Sequence, residues 1–281
     1  MIIDGNAVSK EIRDKIKIEV EQLRGKFTRA PGLTVILIGD DPASQIYVGR
    51  KSKSCSEVGI VSEIKRLPRD VHENEVINMI ADLNENDNVD GILVQLPLPK
   101  HIDENKIIDA ISPAKDVDGL HPFNIGNLVL NKAGLVPCTA AGIIELIQKT
   151  GSEIRGKHSV IIGRSNIVGK PAALMLLHKH STVTICHSRT RDLKGIARQA
   201  DILIAAIGKA KFVTKDMVKN GAIVIDVGIN RVDGKLFGDC DFEEIKEIAG
   251  AITPVPGGVG PMTVAMLLKN TLSAYKNNCG S

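Results

Sequence analysis

Residues 160–171 read Val-Ile-Ile-Gly-Arg-Ser-Asn-Ile-Val-Gly-Lys-Pro, and this stretch decides the fold class. An apolar, β-branched run is followed by a glycine and then by residues suited to the start of a helix. Dinucleotide folds bind a pyrophosphate at such a strand–turn–helix junction, on the free N–H groups of the helix N-terminus. The spacing is Gly-x-Ser-x-x-x-Gly instead of Gly-x-Gly-x-x-Gly, so the turn by itself also fits a plain connection between strand and helix.

Strand and helix patterns alternate on both sides of this stretch. Short apolar runs predict strands at 33–38, 91–94, 159–162, 183–185, 202–204 and 222–225. Helical periodicity predicts helices at 7–23, 73–85, 139–149, 168–179, 193–199 and from about 261 to 275. Runs that are apolar at consecutive positions are typical of strands buried on both faces of a parallel sheet. The alternation therefore predicts doubly wound α/β layers with right-handed crossovers.

The length and the positions of the turns predict two domains. The chain has 281 residues, and a domain usually takes roughly 150. Polar turn chemistry is densest between residues 112 and 137, and a new strand–helix series begins after it. We therefore expect one unit over 1–137 and a second over 138–260, with a final helix in 261–281 packing back on the first unit.

Composition excludes several classes of function. Thirty-six Lys and Arg against 33 Asp and Glu leave a net charge of +3, too small to indicate a nucleic-acid or membrane surface. Aromatic residues make up 2% of the chain, too few for a base-stacking platform. The five cysteines form no Cys-x-x-Cys pair, which speaks against a zinc site and a disulfide framework. The beginning of the chain lacks the pattern of a signal peptide, and no apolar run is long enough to span a bilayer. We expect a globular, cytoplasmic protein.

The segment after the second strand of the C-terminal series indicates which nucleotide binds. NAD sites usually place an acidic residue there, on the ribose 2′-hydroxyl. Here residues 186–191 read Cys-His-Ser-Arg-Thr-Arg, and no acid occurs before Asp192. Hydroxyls and guanidinium groups suit a 2′-phosphate, and Arg164 in the glycine turn could reach the same group. This favours NADP over NAD, although a solvated loop with two surface arginines is the alternative. His187 lies at the adenosine end and receives no catalytic role.

A second group of polar residues follows the first strand. Asp41 is suited to cap a helix and Pro42 to open it. Ser44, Tyr47 and Lys51 then share one helical stripe. A Tyr–Lys pair four residues apart resembles a proton-transfer pair, because a desolvated lysine can titrate near neutrality. On spacing alone, an ordinary helix face with a lysine reaching solvent is the preferred interpretation.

Three further motifs follow the strands or precede the last helix. Gln95 comes directly after a strand and is flanked by apolar residues, so its amide needs a partner in a loop, in a ligand or in a lysine. Asp116 and Asp118 share a turn, in which one acid can cap and the other can accept from an amino-substituted heterocycle. Two carboxylates alone do not make a metal site, and we predict none. Residues 254–263 combine three prolines with three glycines, which stiffens the loop and lets backbone approach a ligand closely.

Taken together, these motifs resemble the bifunctional methylenetetrahydrofolate dehydrogenase/methenyltetrahydrofolate cyclohydrolase family. The resemblance rests on Tyr47-Val48-Gly49-Arg50-Lys51, on residues 91–99 (Gly-Ile-Leu-Val-Gln-Leu-Pro-Leu-Pro), on Lys115-Asp116-Val117-Asp118-Gly119, on 163–169 and on 256–263 (Pro-Gly-Gly-Val-Gly-Pro-Met-Thr). The five motifs occur in the family's order and cover essentially the whole chain.

The resemblance implies a fold and an activity. The fold is two α/β domains flanking a cleft, with NADP on a C-terminal Rossmann-like domain and folate on the N-terminal one. The activity is oxidation of 5,10-methylenetetrahydrofolate to the 5,10-methenyl form by hydride transfer to NADP, followed by hydrolysis to 10-formyltetrahydrofolate. The partners it implies are tetrahydrofolate derivatives and a second copy of the chain in a homodimer.

It also implies residue roles. Lys51 would be the general acid/base of the hydrolysis. Gln95 would hydrogen-bond to Lys51 and hold its pKa near the working pH. Tyr47 would stack on or orient the folate, and Asp118 would accept from the pterin. The implied folate-binding set is Ser44, Tyr47, Lys51, Val94, Gln95, Leu96, Asp118, Pro256, Gly257, Gly258, Val259, Gly260, Pro261, Met262, Thr263 and Val264. The implied NADP-binding set is Gly163, Arg164, Ser165, Val168, Gly169, Ser188, Arg189 and Ile229, the last near the nicotinamide.

Two alternatives stay open at this point. One is a dehydrogenase without cyclohydrolase activity, which would be expected to lack the arrangement of Lys51 with Gln95. The other is a catalytically silent nucleotide-binding regulator that keeps the fold, against which the presence of Lys51, Gln95 and Asp118 weighs. Turnover with NADP separates the second alternative from the enzyme.

Overall fold

The computed structural model of the chain describes residues 1–280, apart from the side chain of Ala43. Its helices are α1 (Gly5–Leu23), α2 (Pro42–Val58), α3 (Glu73–Glu85), α4 (Glu104–Ala110), α5 (Pro122–Val129), α6 (Cys138–Lys149), α7 (Gly169–His178), α8 (Leu193–Ala197), α9 (Phe242–Ile245) and α10 (Val259–Cys279). Its strands are β1 (Gly32–Ile38), β2 (Val61–Leu67), β3 (Gly91–Val94), β4 (His158–Ile162), β5 (Thr182–Cys186), β6 (Ile202–Ala205), β7 (Ile223–Asp226), β8 (Asn230–Val232), β9 (Lys235–Phe237) and β10 (Ala251–Ile252).

The chain folds into two compact units. The five-strand unit comprises Met1–Lys10 and Pro137–Met266, and the three-strand unit comprises Glu11–Val136 and the chain from Leu267 onward. The first residues belong to the five-strand unit because Ile2 bridges Ile252, and because the Met1 amino group donates to the Gly250 carbonyl at 2.8 Å. The functional division of the chain, with folate on one domain and NADP on the other, stays a prediction.

The five-strand unit is built on a parallel sheet with the strand order β10-β7-β6-β4-β5. All residues of β6 and β7 are buried, as are the last four of β4, whereas β5 lies at an edge and is partly exposed. This confirms the prediction from consecutive apolar residues. Since the strands are parallel, they all end at the same edge of the sheet, where polar residues follow β4, β5, β6 and β7.

The three-strand unit is built on a smaller parallel sheet with the order β2-β1-β3. The central strand β1 is buried along its whole length. The sequence did not predict β2, because its residues alternate between exposed and half-buried positions, as an edge strand with one solvated face does. β1 and β3 end side by side and place the segments that begin at Asp41 and Gln95 at one sheet edge.

The part of α10 from Leu267 onward packs within the three-strand unit, whereas the beginning of the helix, up to Met266, belongs to the five-strand unit. Asn270 Nδ2 donates to the carbonyls of Val117 at 2.8 Å and Val136 at 2.9 Å. The Tyr275 hydroxyl donates to the Arg29 carbonyl at 2.6 Å, and its side chain is 1% exposed. These hydrogen bonds satisfy buried polar atoms and fix the position of the helix, in addition to the packing of its apolar face.

Several short elements were not predicted from the sequence. These are α4, α5, α9, β10 and the antiparallel hairpin of β8 and β9, none longer than eight residues. Such short segments carry too few residues to show a period. Among the helices described, none combines the length and the apolar character needed to cross a bilayer.

Candidate active site

Helix α2 begins directly after the first buried strand of the three-strand unit. The Asp41 side chain caps it by accepting from the Ser44 N–H at 2.8 Å, and Pro42 occupies the first turn. Both features were predicted from the sequence. Ser44 and Lys51 are buried and Tyr47 is half-buried, so the predicted stripe faces the interior of its unit and not the solvent. The alternative of a lysine reaching freely into solvent is therefore wrong.

Lys51 is the buried cation of this stripe. Its side chain is only 7% exposed, and Nζ donates to Oε1 of Gln95 at 2.9 Å. Burying an ammonium group is costly unless it is hydrogen-bonded, so this contact largely determines where the lysine can point. The structure thus brings together two residues that lie 44 positions apart in sequence.

Gln95 is itself held at both ends. Its backbone N–H donates to the Ile36 carbonyl at 2.9 Å, which extends the pairing of β1 with β3 by one residue. Its side-chain Nε2 donates to the Leu96 carbonyl at 2.7 Å. Because the amide nitrogen is engaged there, the amide oxygen faces Lys51. Val94 before it is buried, and Leu96 after it is half-buried.

The two acids of the turn, Asp116 and Asp118, have different environments. Asp116 is buried and accepts from the backbone N–H groups of Gly119 and His121 and from Asn124 Nδ2, at 2.8–3.1 Å. It is the structural cap of the turn. Asp118 is half-buried and lies beside a small apolar pocket between β3 and α4, to which Val94 and Leu96 also contribute. Of the two acids, Asp118 is the one positioned to accept from a ligand.

In the five-strand unit, the glycine turn follows β4. Gly163 has a φ of +134°, and a Cβ there would lie 2.2 Å from the Ala206 carbonyl oxygen, so only glycine fits. The main chain thereby passes close to the end of β6 and enters α7, whose first residue, Gly169, is buried. A glycine turn that leads into a ten-residue helix can receive a pyrophosphate on backbone N–H groups.

Ser165 and Arg164 lie within this turn. Ser165 Oγ accepts from the N–H groups of Val168 and Gly169 at 3.2 and 3.3 Å, so the hydroxyl closes the turn that leads into α7 while its proton can still be donated outward. Arg164 is exposed and Val168 is half-buried. The turn is therefore preformed and presents a cation at its surface.

The segment after β5 carries the predicted 2′-phosphate residues, Ser188 and Arg189, both exposed. Its backbone is fixed by His187 and Thr190. The His187 N–H donates to Thr190 Oγ1 at 2.8 Å, and the Arg189 N–H donates to His187 Nδ1 at 3.1 Å. The nearest following acid, Asp192, caps α8 by accepting from the Gly195 N–H at 3.1 Å. A hydroxyl and a guanidinium are thus presented at a site where NAD enzymes present a carboxylate.

Residues 254–258 form a loop, whereas residues 259–264 are already the first turns of α10, so the loop is shorter than the sequence indicated. Both parts are partly packed within the five-strand unit. Gly258, Val259 and Met262 are buried, whereas Pro256 is exposed and Gly257, Gly260, Pro261 and Val264 are half-buried. The Thr263 hydroxyl lies 3.2 Å from that of Thr139. Of the folate-binding residues that the family resemblance implies in this unit, those that are half-buried or exposed are available to a ligand.

Two buried acids of the five-strand unit, Asp226 and Asp239, were not predicted from the sequence. Asp226 ends β7, directly before the segment that carries Ile229, whose side chain is 51% exposed. An acid that closes an otherwise apolar strand was the signal available in the sequence. No group of His, Cys, Asp or Glu within residues 1–280 is arranged to hold a metal ion.

These features together define a class of protein. A parallel sheet with a preformed glycine turn and a cationic segment after the next strand is a dinucleotide-binding unit, and a buried lysine held by an amide is suited to proton transfer. The class is that of α/β nucleotide-dependent enzymes.

Family models then identify the family. Residues 3–118 match the catalytic domain of tetrahydrofolate dehydrogenase/cyclohydrolase, and residues 137–279 match its NAD(P)-binding domain. The chain belongs to this family, which confirms the resemblance seen in the sequence.

Individual relatives are similar over the whole chain. The bifunctional protein FolD of Moorella thermoacetica is 57% identical over 276 residues, covering 98% of both chains. The crystal structure of the bifunctional FolD methylenetetrahydrofolate dehydrogenase/cyclohydrolase from Campylobacter jejuni is 49% identical and superposes with a TM-score of 0.96, covering 99% of each chain. The Trypanosoma brucei enzyme, complexed with NADP cofactor and an inhibitor, is 41% identical with a TM-score of 0.94, covering 99% of this chain and 97% of that one.

Proposed function

We propose that this chain oxidises 5,10-methylenetetrahydrofolate to the 5,10-methenyl form with NADP and then hydrolyses that product to 10-formyltetrahydrofolate. Full-length similarity to bifunctional relatives supports both activities, and an NADP-bound relative supports the cofactor. The observation that carries the proposal is the buried Lys51–Gln95 hydrogen bond, because the dehydrogenase step alone gives no reason to bury a lysine against an amide.

The cofactor residues fit NADP. The turn at Gly163, Arg164 and Ser165, with Val168 and Gly169 at the start of α7, would hold the pyrophosphate, and Ser188 with Arg189 would hold the 2′-phosphate. Ile229 would lie against the nicotinamide. When bound, NADP supplies the acceptor for the hydride.

The folate residues fall into two groups. In the three-strand unit, Asp118 would accept from the amino and ring N–H groups of the pterin, Tyr47 and Ser44 would orient it, and Val94 and Leu96 would provide apolar contact. In the five-strand unit, residues 256–264, which comprise the end of the loop before α10 and the first turns of that helix, would contribute to the folate side. Among these residues, Asp118 would contribute most to selectivity for the pterin, because its hydrogen bonds with the N–H groups are charge-assisted.

In the oxidation, this chain's contribution is orientation. As the hydride leaves the methylene carbon, the lone pair of the neighbouring nitrogen forms the C=N bond, so no protein acid is needed at that moment. The residues that fix the folate and the cofactor therefore determine the rate of this step.

In the hydrolysis, a water oxygen adds to the methenyl carbon and the bond from that carbon to N5 breaks. As the formyl C=O bond forms, one proton of the water is released to solvent and the other passes to N5. Lys51 is the general acid/base that carries this proton. Gln95, by accepting from Nζ, holds the lysine in one orientation while the proton moves. Neither a dehydrogenase without cyclohydrolase activity nor a catalytically silent regulator would need the hydrogen bond between Lys51 and Gln95.

Acid-quenched reactions test the proposal directly. Methylenetetrahydrofolate is incubated with NADP or with NAD, and the absorbance of the methenyl product is measured in acid. We expect formation of the product with NADP, and hydrolysis when methenyltetrahydrofolate is supplied without cofactor. Absence of product with either cofactor would refute the oxidation, and a supplied methenyl substrate that decays no faster than without enzyme would refute the hydrolysis.

We also infer that the protein works in the cytoplasm as a homodimer. The five cysteines carry no disulfide, which suits a reducing compartment. Light scattering coupled to gel filtration tests the dimer, and a mass corresponding to one 30.2 kDa chain would refute it.

A further inference from the structure

The segments that follow β6 and β7 lie at the carboxyl edge of the sheet in the five-strand unit. Residues 206–209 follow β6, and residues 227–230, which include Ile229, follow β7. Ligands of open parallel sheets bind beyond this edge. These two segments therefore form part of the surface that meets a nucleotide. No recognised motif in either segment supplies a charged side chain to the nucleotide.

Asp239 holds both segments. Its side chain is 0% exposed. Oδ2 accepts from the N–H groups of Ile207 at 2.7 Å and Gly208 at 3.0 Å, and Oδ1 accepts from Lys209 N–H at 2.8 Å and Asn230 Nδ2 at 3.0 Å. Four donors satisfy one buried carboxylate, and three of them are consecutive backbone groups. Such charge-assisted bonds are roughly twice as strong as neutral ones, so this carboxylate fixes the backbone after β6 and anchors the residue that follows Ile229.

Asp226 in turn fixes the segment that carries Asp239. Its Oδ1 accepts from Asp239 N–H at 2.8 Å and Gly228 N–H at 3.2 Å, and its Oδ2 accepts from Cys240 N–H at 2.9 Å. Burial and the neighbouring charge of Asp239 raise the pKa of Asp226 to about 6. The two acids thus connect three segments of backbone through buried hydrogen bonds.

The packing around these bonds leaves no free space. A Cβ on Gly228 would lie 2.1 Å from Oδ1 of Asp239. The segment before Ile229 and the carboxylate of Asp239 are therefore in van der Waals contact, and neither can move without displacing the other.

We propose that Asp239 is a positioning residue for hydride transfer: its buried carboxylate holds the segments after β6 and β7 in the conformation that orients the nicotinamide end of NADP. The proposal rests on the function proposed above. Because its side chain is fully buried, Asp239 touches neither substrate nor cofactor and acts through the backbone of residues 207–209 and through Asn230. The 2′-phosphate residues lie after β5, so they are independent of it.

The first test is Asp239→Asn. In either orientation, the new amide nitrogen faces two of the four donors and cannot accept from them. We expect kcat of the dehydrogenase to fall by up to about 100-fold, since small displacements of a reacting group have effects of this size. NADPH affinity, measured by its fluorescence, and hydrolysis of supplied methenyltetrahydrofolate should stay close to those of the parent protein. In the cofactor-free chain, amide hydrogen exchange in residues 206–210 should become faster.

Two further variants make the test specific. Asp241→Asn is the matched control, because this neighbouring acid pairs with Lys211 at 3.4 Å and has no bond to either segment; we expect no change in any readout. Gly228→Ala disturbs the same contact from the opposite side, by placing a methyl group where Oδ1 lies. We expect it to lower dehydrogenase kcat as Asp239→Asn does, again without loss of NADPH binding.

The outcomes separate the inference from the proposed function. Unchanged dehydrogenase kcat in Asp239→Asn would overturn the inference while leaving the enzyme intact. If Asp239→Asn fails to bind NADPH, Gly228→Ala decides: a selective loss of kcat supports the positioning role, and loss of NADPH binding there as well shows that Asp239 only maintains the fold. Absence of dehydrogenase activity in the unmodified chain would refute the proposed function itself.

Discussion

The three-strand unit and the five-strand unit use their buried polar groups differently. In the three-strand unit, Lys51 and Gln95 bond to each other, so the group proposed for proton transfer is a side chain held by a side chain. In the five-strand unit, Asp226 and Asp239 bond mainly to backbone N–H groups, and the surface that they shape is made of main chain. The first arrangement suits proton transfer, which needs a titratable group. The second suits orientation, which needs rigid backbone. Substitutions in the two units should therefore separate the two activities.

The largest effect is expected from Lys51→Met. Since the lysine is proposed to carry the proton of the hydrolysis, we expect hydrolysis of methenyltetrahydrofolate to fall by about 10²–10⁴-fold, the usual contribution of general acid/base catalysis. NADPH affinity should be unchanged, because it depends on the other unit. Lys53→Met on the exposed side of α2 serves as the control. Full hydrolysis by Lys51→Met would remove the role assigned to the lysine.

Gln95→Leu should have a smaller effect in the same direction. The substitution deletes the acceptor of Lys51 Nζ but keeps the lysine. A hydrogen bond to a charged group contributes about 1.5–3 kcal/mol, so hydrolysis should fall by about 10- to 100-fold. Gln22→Leu, at an exposed position of α1, is the control. If Gln95→Leu hydrolysed its substrate as fast as the parent protein, the lysine would need no partner for its function.

Arg189→Ala addresses the binding surface of the five-strand unit. Loss of one guanidinium–phosphate contact should raise KM for NADP by about tenfold and leave KM for NAD nearly unchanged. Arg198→Ala, an exposed arginine at the end of α8, is the control. Equal effects on the two cofactors would mean that the 2′-phosphate is recognised elsewhere, with Arg164 the next candidate.

The smallest effect concerns stability and pH. Burial raises the pKa of Asp226 from its ordinary value near 4 to about 6, so the folded protein binds this proton more tightly than the unfolded chain does. The resulting stabilisation is present below pH 4 and is lost as the pH rises through 6; it amounts to no more than about 3 kcal/mol. Urea unfolding followed at pH 5 and pH 7.5 should show a larger decrease for the parent protein than for Asp226→Asn. Equal decreases in the free energy of unfolding of the two proteins would contradict the raised pKa of Asp226.

The sequence predicted those parts of the fold in which burial leaves a simple pattern. β1, β3, β4, β6 and β7 are apolar at consecutive positions and were all predicted. β2 was missed because its solvated face interrupts the pattern, and β8, β9 and β10 were missed because they contain only two or three residues. Periodicity reports burial over a window, so edges and short pieces leave little signal.

The candidate site was predictable to a different extent in each unit. The stripe of Ser44, Tyr47 and Lys51 follows from helical spacing, but spacing cannot bring Gln95 to Lys51, and that pairing came from the family resemblance. The sequence also left open which acid of the turn is structural, which the bonds of Asp116 now decide. Asp239 could not be found from the sequence because three of its four donors are backbone groups, which carry no residue-specific signal.

The order in which the chain contributes to the two units has a consequence for its synthesis. Met1 bonds to Gly250, and Ser9 Oγ donates to the Pro261 carbonyl at 3.0 Å, so the five-strand unit joins residues about 250 positions apart. The three-strand unit likewise depends on Asn270 and Tyr275. A growing chain can therefore complete neither unit until residues 250–275 have been synthesised. For the same reason, cutting the gene near codon 137 would deprive both fragments of native contacts.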